Sequence, residues 1–348
     1  MIKYLGSKRT LVPTLSLLAQ ASGARTSIDL FTGTTRVAQS LKSLGQFVTT
    51  VDVASYSLAF GKTWIELDGS SAPLPELKDA LEDLNARRGE AGYFTKTFCL
   101  DARYFQPKNG EKIDAIREAI EVDYKGTWLY YPLLTSLLLA ADRVDSTTGM
   151  QMAFLKQWAA RSFQTLTLRD PELMAGSGLS IQGDAVALAA SLEPVDLAYL
   201  DPPYNQHRYF ANYHIWETLM RWDKPQSYGI ANKRIDVREP ETKSPFNSKK
   251  TMASALKNVI TNLQCEVLML SYNNEAWLTK DELLELCQPK GHVEILDFDF
   301  KRYVGSQIGV YNKQGVRVSN PKHSRNVEHV VLAGPKSTIR KMVDSLEN

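Results

Sequence analysis

Apolar positions along the chain fall into two rhythms. Short apolar or alternating runs at 27–31, 46–51, 179–182, 195–200, 266–272, 292–300 and 327–332 predict strands. Apolar residues recurring every three or four positions predict helices at 11–21, 74–84, 113–122, 131–144, 152–163, 185–192, 252–263 and 280–287, with one more running from the turn at Thr35 to Leu44. Strands that alternate with helices predict an α/β fold built on a Rossmann-like sheet. The stretch between the second and third strands breaks the alternation, being almost wholly helical in pattern. It predicts a mainly helical inserted domain over 65–175, flanked by core parts at 1–64 and 176–348. A polar, aromatic-laced insertion follows near 205–250.

Composition adds little against this frame. The 348 residues are 43% hydrophobic and 23% charged, enough chain to bury a large core, and the net charge of +2 does not by itself indicate a polyanionic partner. Local charge is more telling. From Lys301 to Arg325 there are six Lys or Arg and no acid, with Tyr303 and Tyr311 among glycines, a composition suited to following phosphates and equally to a solvated loop. Cys99, Cys265 and Cys287 show neither a disulfide framework nor zinc-ligand spacing, so no metal and a reducing, cytoplasmic setting are expected. The basic start before Leu11 imitates a secretory leader, but Pro13 and the short apolar stretch weaken that reading. The apolar run 128–141 is too short to cross a bilayer and reads as a buried helix.

Candidate chemistry gathers where strands end. After the first strand comes Thr32-Gly33-Thr34-Thr35, a turn into a helix, and the second strand ends at Asp52, 23 residues after Asp29. This βαβ layout suits a nucleoside: Gly33 permits close backbone approach and Asp52 can accept hydrogen bonds from ribose hydroxyls. A bare α/β crossover fits the same segment. The turn lacks a three-glycine fingerprint, which disfavours a pyrophosphate ligand. The third strand is followed by Gly183-Asp184, and the fourth by Asp201-Pro202-Pro203-Tyr204. Two prolines fix φ and withhold their N–H groups, so this corner is rigid and presents a carboxylate and a flat ring. Such a corner can grip a planar amino group. His207 and His214 nearby read as polar fillers.

Taken together, "MIKYLGSKR", "DLFTGTTRVA", "TVDVAS", "IQGDAV", "LAYLDPPYNQHRYFANYHIWETL" and "LMLSYNNEAWL", in that order over most of the chain, resemble the adenine-N6 DNA methyltransferases, the group of Dam and of restriction-system modification enzymes. The resemblance implies S-adenosyl-L-methionine as cofactor, double-stranded DNA as partner, a site-specific activity on adenine N6, and room for a cognate restriction endonuclease. Carried onto this chain, it implies that Tyr4 and Lys8 hold the cofactor's adenosine or methionine portion and that Asp29, Phe31 and Gly33 wrap its methionine side. Asp52 would take the ribose hydroxyls and Asp184 the cofactor's adenine. Asp201 and the Pro202 carbonyl would accept the target amino group, with Pro203 keeping the corner rigid, Tyr204 stacking on the base and Asn205 extending the turn. The family commonly has a second glycine in the cofactor turn where this chain has Thr35. Related enzymes that act on cytosine N4 tend to have Ser at the Asp201 position, and those for glutamine Asn, so the acid favours adenine. RNA adenine, cytosine N4 and a non-catalytic nucleic-acid binder on the same fold remain the alternatives.

Overall fold

Helix α1 (Val12–Ser22) carries proline in its first turn, where a fixed φ costs nothing, and stops at Gly23, whose φ of 75° suits glycine. In this computed structural model, which describes residues 2–6, 8–204, 206–301, 310–311, 317–319 and 325–347, α1 leads into β1 (Thr26–Leu30), α2 (Arg36–Ser43) and β2 (Phe47–Asp52). Helix α3 (Ser55–Gly61) follows, and then the insertion as α4 (Leu74–Ala86), the single turn α5 (Tyr93–Thr95), α6 (Pro107–Ala119) and α7 (Tyr130–Val144). Next come β3 (Gly178–Gln182), the short α8 (Ala185–Leu188) and β4 (Val195–Leu200). After the Asp201 corner the chain forms α9 (Tyr209–Asn212), α10 (His214–Arg221) and a small hairpin of β5 (Ser227–Tyr228) and β6 (Lys233–Arg234). It returns through α11 (Met252–Asn262), β7 (Cys265–Asn273), α12 (Lys280–Cys287) and β8 (His292–Lys301). Two short strands, β9 (Val310–Tyr311) and β10 (Arg317–Ser319), precede β11 (Arg325–Gly334) and α13 (Lys336–Asp344).

Seven strands form one sheet in the order β3-β2-β1-β4-β7-β11-β8. The first five are parallel, while β11 runs antiparallel to both β7 and β8. From β1 the chain steps outward to β2 and β3, then crosses back to β4 and proceeds to the other side. That reversal opens a crevice beyond the ends of β1 and β4, where ligands of open α/β sheets bind. Alternation along β4 shows how both faces are covered. Leu197 and Tyr199 join the core under α1, α2, α3, α7 and α13, whereas Ala198 and Leu200 join the core under α8, α11 and α12. The first core continues without a break into the insertion through Phe60, Leu84, Ile116 and Leu137, so the inserted helices pack on the sheet's helical layer.

The structure departs from the sequence pattern in three places. Residues 152–163 form no helix: turns run to a 3-10 turn at Ala160–Phe163. The Leu155 N–H donates to the Ser146 carbonyl and the Ala159 N–H to Ser146 Oγ, so contacts with a neighbouring loop displace the helical i to i−4 pattern. Helix α10 forms inside the stretch expected to be only polar and aromatic, with seven of its eight residues buried, including the polar His214, Glu217 and Thr218. Those buried polar residues hide its apolar stripe in the sequence. Helix α13, unexpected from the pattern, buries Ile339 and Met342 against α1. The acid-free stretch expected to track phosphates lies largely outside the described residues, as does Asn205. Among the described residues no helix is long and apolar enough to cross a membrane, and no cluster of His, Cys, Asp and Glu could hold a metal ion.

Candidate active site

At the end of β1 the backbone turns sharply. Phe31, Gly33 and Thr35 all take positive φ, 65°, 51° and 58°. For a β-branched residue such as Thr35 this is an outlier, a backbone conformation that ordinarily favours glycine. Thr35 is buried, its N–H donates to the Thr32 carbonyl, and its Oγ1 accepts from Gln39 Nε2 at 2.9 Å. Gly33 has a second constraint, because a Cβ there would meet the Tyr4 ring at 3.0 Å. Tyr4 is fixed in turn by stacking on Tyr213, ring centroids 4.8 Å apart. The N-terminal segment thus lies across the turn as one wall of the crevice.

The carboxylates at the strand ends are held by backbone. Asp52 accepts the Gly33 N–H at 2.8 Å and the Ala54 N–H at 2.9 Å, one on each oxygen, which ties the β1 turn to the end of β2. Burial pushes its pKa up against those hydrogen bonds. Asp184 caps α8, accepting from Val186 N at 2.9 Å and Ala187 N at 3.1 Å. Asp29 is 1% exposed and accepts from Thr32 Oγ1 at 2.8 Å and Ala38 N at 3.0 Å. Burial dominates there and raises the carboxyl to about 8. Asp29 therefore shapes the turn from beneath.

One cavity joins these elements. Tyr4, Phe31, Asp52, Asp184, Asp201 and Pro203 all line it, whereas Lys8, Asp29, Gly33, Pro202 and Tyr204 stand behind or beside the lining. Sequence reasoning missed the far wall: Phe210, Glu217 and Arg221 from α9 and α10, and the segment from Glu241 to Asn247. Phe246, buried, anchors that segment edge-on against Phe31, centroids 4.9 Å apart. Glu217 is fully buried, accepts the Ser55 N–H at 2.9 Å and pairs with Arg221 at 3.1 Å, so it holds the start of α3. Only the fold could have found it, since in the sequence it is one acid of a polar, aromatic-laced stretch. The lining is richer in acids than in cations, Asp52, Asp184, Asp201, Glu217 and Glu241 against Arg221 and Lys243. Aromatic rings beside it, a backbone kept free of side chain at Gly33 and excess negative charge fit a nucleoside carrying a sulfonium.

Asp201 lines this cavity, its side chain 20% exposed. Its Oδ1 lies 2.8 Å from Lys8 Nζ, and Lys8 also lies 2.7 Å from Glu328 Oε1 on β11. Burial is the largest influence on Asp201 and raises it to about 6, with Lys8 pulling down and Glu328 pushing up. Burial opposes the Lys8 charge, but the surrounding acids outweigh it and its pKa stands well above the ordinary value. Lys8, expected to help hold the cofactor, bridges two carboxylates in this structure. Tyr204 packs at a tilt on Tyr272 of β7, centroids 5.4 Å apart, and the Lys8 ammonium lies 5.6 Å from its ring. Carboxylate, rigid corner, ring and cavity thus converge on one rim.

A switch-point crevice with carboxylates at its strand ends, beside a rigid acid-proline-proline-tyrosine corner, is the setting in which open α/β enzymes hold a ligand. Residues 4–285 match the model of the D12 class N6 adenine-specific DNA methyltransferases, and the chain belongs to that family. It is 30% identical over 332 residues to the modification methylase StsI of Streptococcus sanguinis, covering 88% of this chain but 50% of that enzyme. It is 30% identical over 318 residues to the type II methyltransferase M.NlaIII of Neisseria lactamica, covering 87% of this chain and 92% of that one. The chain therefore spans about half the length of the first relative and nearly all of the second. A solved structure, SMU.776 complexed with SAH, aligns over 95% of this chain and 50% of its own at 11% identity, but its TM-score of 0.35 is too low to support any argument.

Proposed function

We propose that this protein is a site-specific DNA methyltransferase that moves the methyl group of S-adenosyl-L-methionine to N6 of an adenine turned out of duplex DNA. The observation that carries the reading is that Asp201 lines the same cavity as Asp52 and Asp184. The cofactor, when bound, supplies an electrophilic methyl group. Asp52 would hold its ribose, Asp184 its adenine end, and Tyr4 and Phe31 would wall it, while Asp29 and Gly33 hold the turn in shape. Asp201 and the Pro202 carbonyl would accept the two N–H groups of the target. That draws electron density onto a nitrogen whose lone pair is otherwise delocalised into the ring. Because the corner is rigid, these acceptors need not reorganise during transfer. Tyr204 offers a face for the base, which leaves the helix at a cost of a few kcal/mol.

Target reading belongs, on this proposal, to the helical insertion 65–175 and the segment 205–250. Side chains there would meet base edges, and Lys and Arg would meet phosphates. Similarity to modification methylases supports a place beside a cognate restriction endonuclease. The test is direct. Incubate the protein with unmethylated plasmid and labelled cofactor, digest to nucleosides and identify the product by mass. Label is expected in N6-methyladenine, and Asp201→Ala should lower the rate by about a hundredfold or more, as losing a preorganised polar contact does. Label confined to RNA, protein or cytosine would reject the substrate, and an undiminished Asp201→Ala rate would reject the mechanism.

A further inference from the structure

Asp201 shares its ammonium partner with a residue that no motif supplies. Glu328 lies on β11, beyond residue 285 where the family match ends. Its backbone is in register with Asn273 on one side and Phe298 on the other, so it is held between two strands and cannot follow movements of the Asp201 corner. Its Oε2 lies 3.4 Å from Asn273 Nδ2, and its Oε1 faces Lys8 Nζ at 2.7 Å. Lys8 and Glu328 are both 9% exposed. Lys8 Nζ thus lies at contact distance from both Asp201 Oδ1 and Glu328 Oε1.

One carboxylate would suffice to neutralise Lys8. A second, buried beside it, leaves net negative charge out of water, which costs free energy unless it serves something else. Asp201 is also an acceptor that the target amino group needs. We infer that Glu328 is a positioning residue for methyl transfer: by sharing the Lys8 ammonium it weakens the hold of Lys8 on Asp201, and so leaves that carboxylate readier to take an N–H of the incoming base. The inference rests on the function proposed above. Without Glu328 the ammonium has Asp201 alone, and a charge-assisted contact of that kind is strong enough to compete with the base.

Its electrostatic signature can be separated from a structural one. The groups facing Asp201 are Lys8, Glu328, Asp29, Tyr199, Tyr204 and Tyr209. Of these, Glu328 adds negative charge and helps hold Asp201 at about 6, so the transfer rate should fall as pH drops through that value and the acceptor is protonated. Glu328→Gln removes that charge and leaves Lys8 wholly to Asp201. Both changes favour the ionised acid, so the acid limb should move to lower pH while the maximal rate falls. A residue that merely supported the fold would lower the rate without moving the limb.

The experiment follows single-turnover methylation of unmethylated plasmid against pH, using the full chain and the variants Glu328→Gln, Lys8→Gln and the double substitution. Glu328→Gln is expected to lose about tenfold in maximal rate, with cofactor affinity by calorimetry unchanged. Its acid limb should shift down by about half a pH unit or more. In the Lys8→Gln background the further effect of Glu328→Gln should stay within about twofold, since its target is gone. A wild-type rate with an unmoved limb would overturn the inference, as would equal proportional losses in both backgrounds. If Glu328→Gln alone fails to fold, the double substitution, which removes both buried charges, is compared with Lys8→Gln, and a further loss beyond that range overturns it. A wild-type protein that labels no adenine would sink the proposed function as well, whereas an active wild type matched by Glu328→Gln sinks this inference alone.

Discussion

Asp29, beneath the turn, and Asp201, on the cavity lining, respond to pH for different ends. On the proposed mechanism Asp201 is ionised to accept an N–H, whereas Asp29, raised to about 8, holds its proton at neutral pH. Between the ordinary aspartate range and about 8 the native state binds a proton at Asp29 that the unfolded chain has released. Stability contributed there is present at the acid end of that window and is lost as pH rises through about 8. Asp29→Asn, neutral at every pH, should flatten this dependence, as urea unfolding across the same range would show. An unchanged slope would mean that Asp29 is ionised in the fold. At this scale the sequence was legible where an acid stood at or just past a strand end, as Asp52, Asp184 and Asp201 do. Glu328 was not legible, because it stands inside a strand where alternation makes a polar residue unremarkable, and its partner is at the other end of the chain.

Among the elements, α10 explains why the far wall of the cavity was hidden. It presents Glu217 and Arg221 to the crevice, and its carboxyl end is secured by a residue of the insertion. Arg117 of α6, fully buried, donates from Nε to the Leu219 carbonyl at 2.8 Å and from Nη2 to the Met220 carbonyl at 3.0 Å, and lies over the Trp222 ring. A guanidinium at a helix carboxyl end satisfies carbonyls that the helix cannot. Arg117→Met should cost about 2–3 kcal/mol by loss of charged hydrogen bonds, read by denaturant unfolding. Loosening α10 should also weaken cofactor binding. A loss under about 0.5 kcal/mol, the usual size at a surface position, would mean that the cap is dispensable. The strands were legible because period-two runs bounded by turns have few rivals. Residues 152–163 were misread because apolar spacing alone does not reveal that their backbone bonds reach Ser146.

For the whole molecule, the alternation of strands and helices was enough to foresee a parallel sheet with an inserted helical layer, but not the antiparallel return of β11 between β7 and β8. Affinity for a polyanion is also a property of this scale. The acid-free stretch ending at Arg325 is the densest run of cations lacking any acid. Replacing Arg317, Lys322 and Arg325 together with Ala should weaken DNA binding and reduce the slope of log affinity against log salt by up to about three. Binding titrations over a range of salt would show it, and an unchanged slope would remove this stretch from the interface. The Lys8 bridge has a further consequence, for local opening. One ammonium joins the segment before α1, the corner after β4 and strand β11, three pieces far apart in the sequence. On the inference drawn above, an opening that drew β11 out of the sheet would take Glu328 with it and hand the ammonium to Asp201 alone, so loosening of that strand would be felt as slower transfer at a crevice otherwise in place.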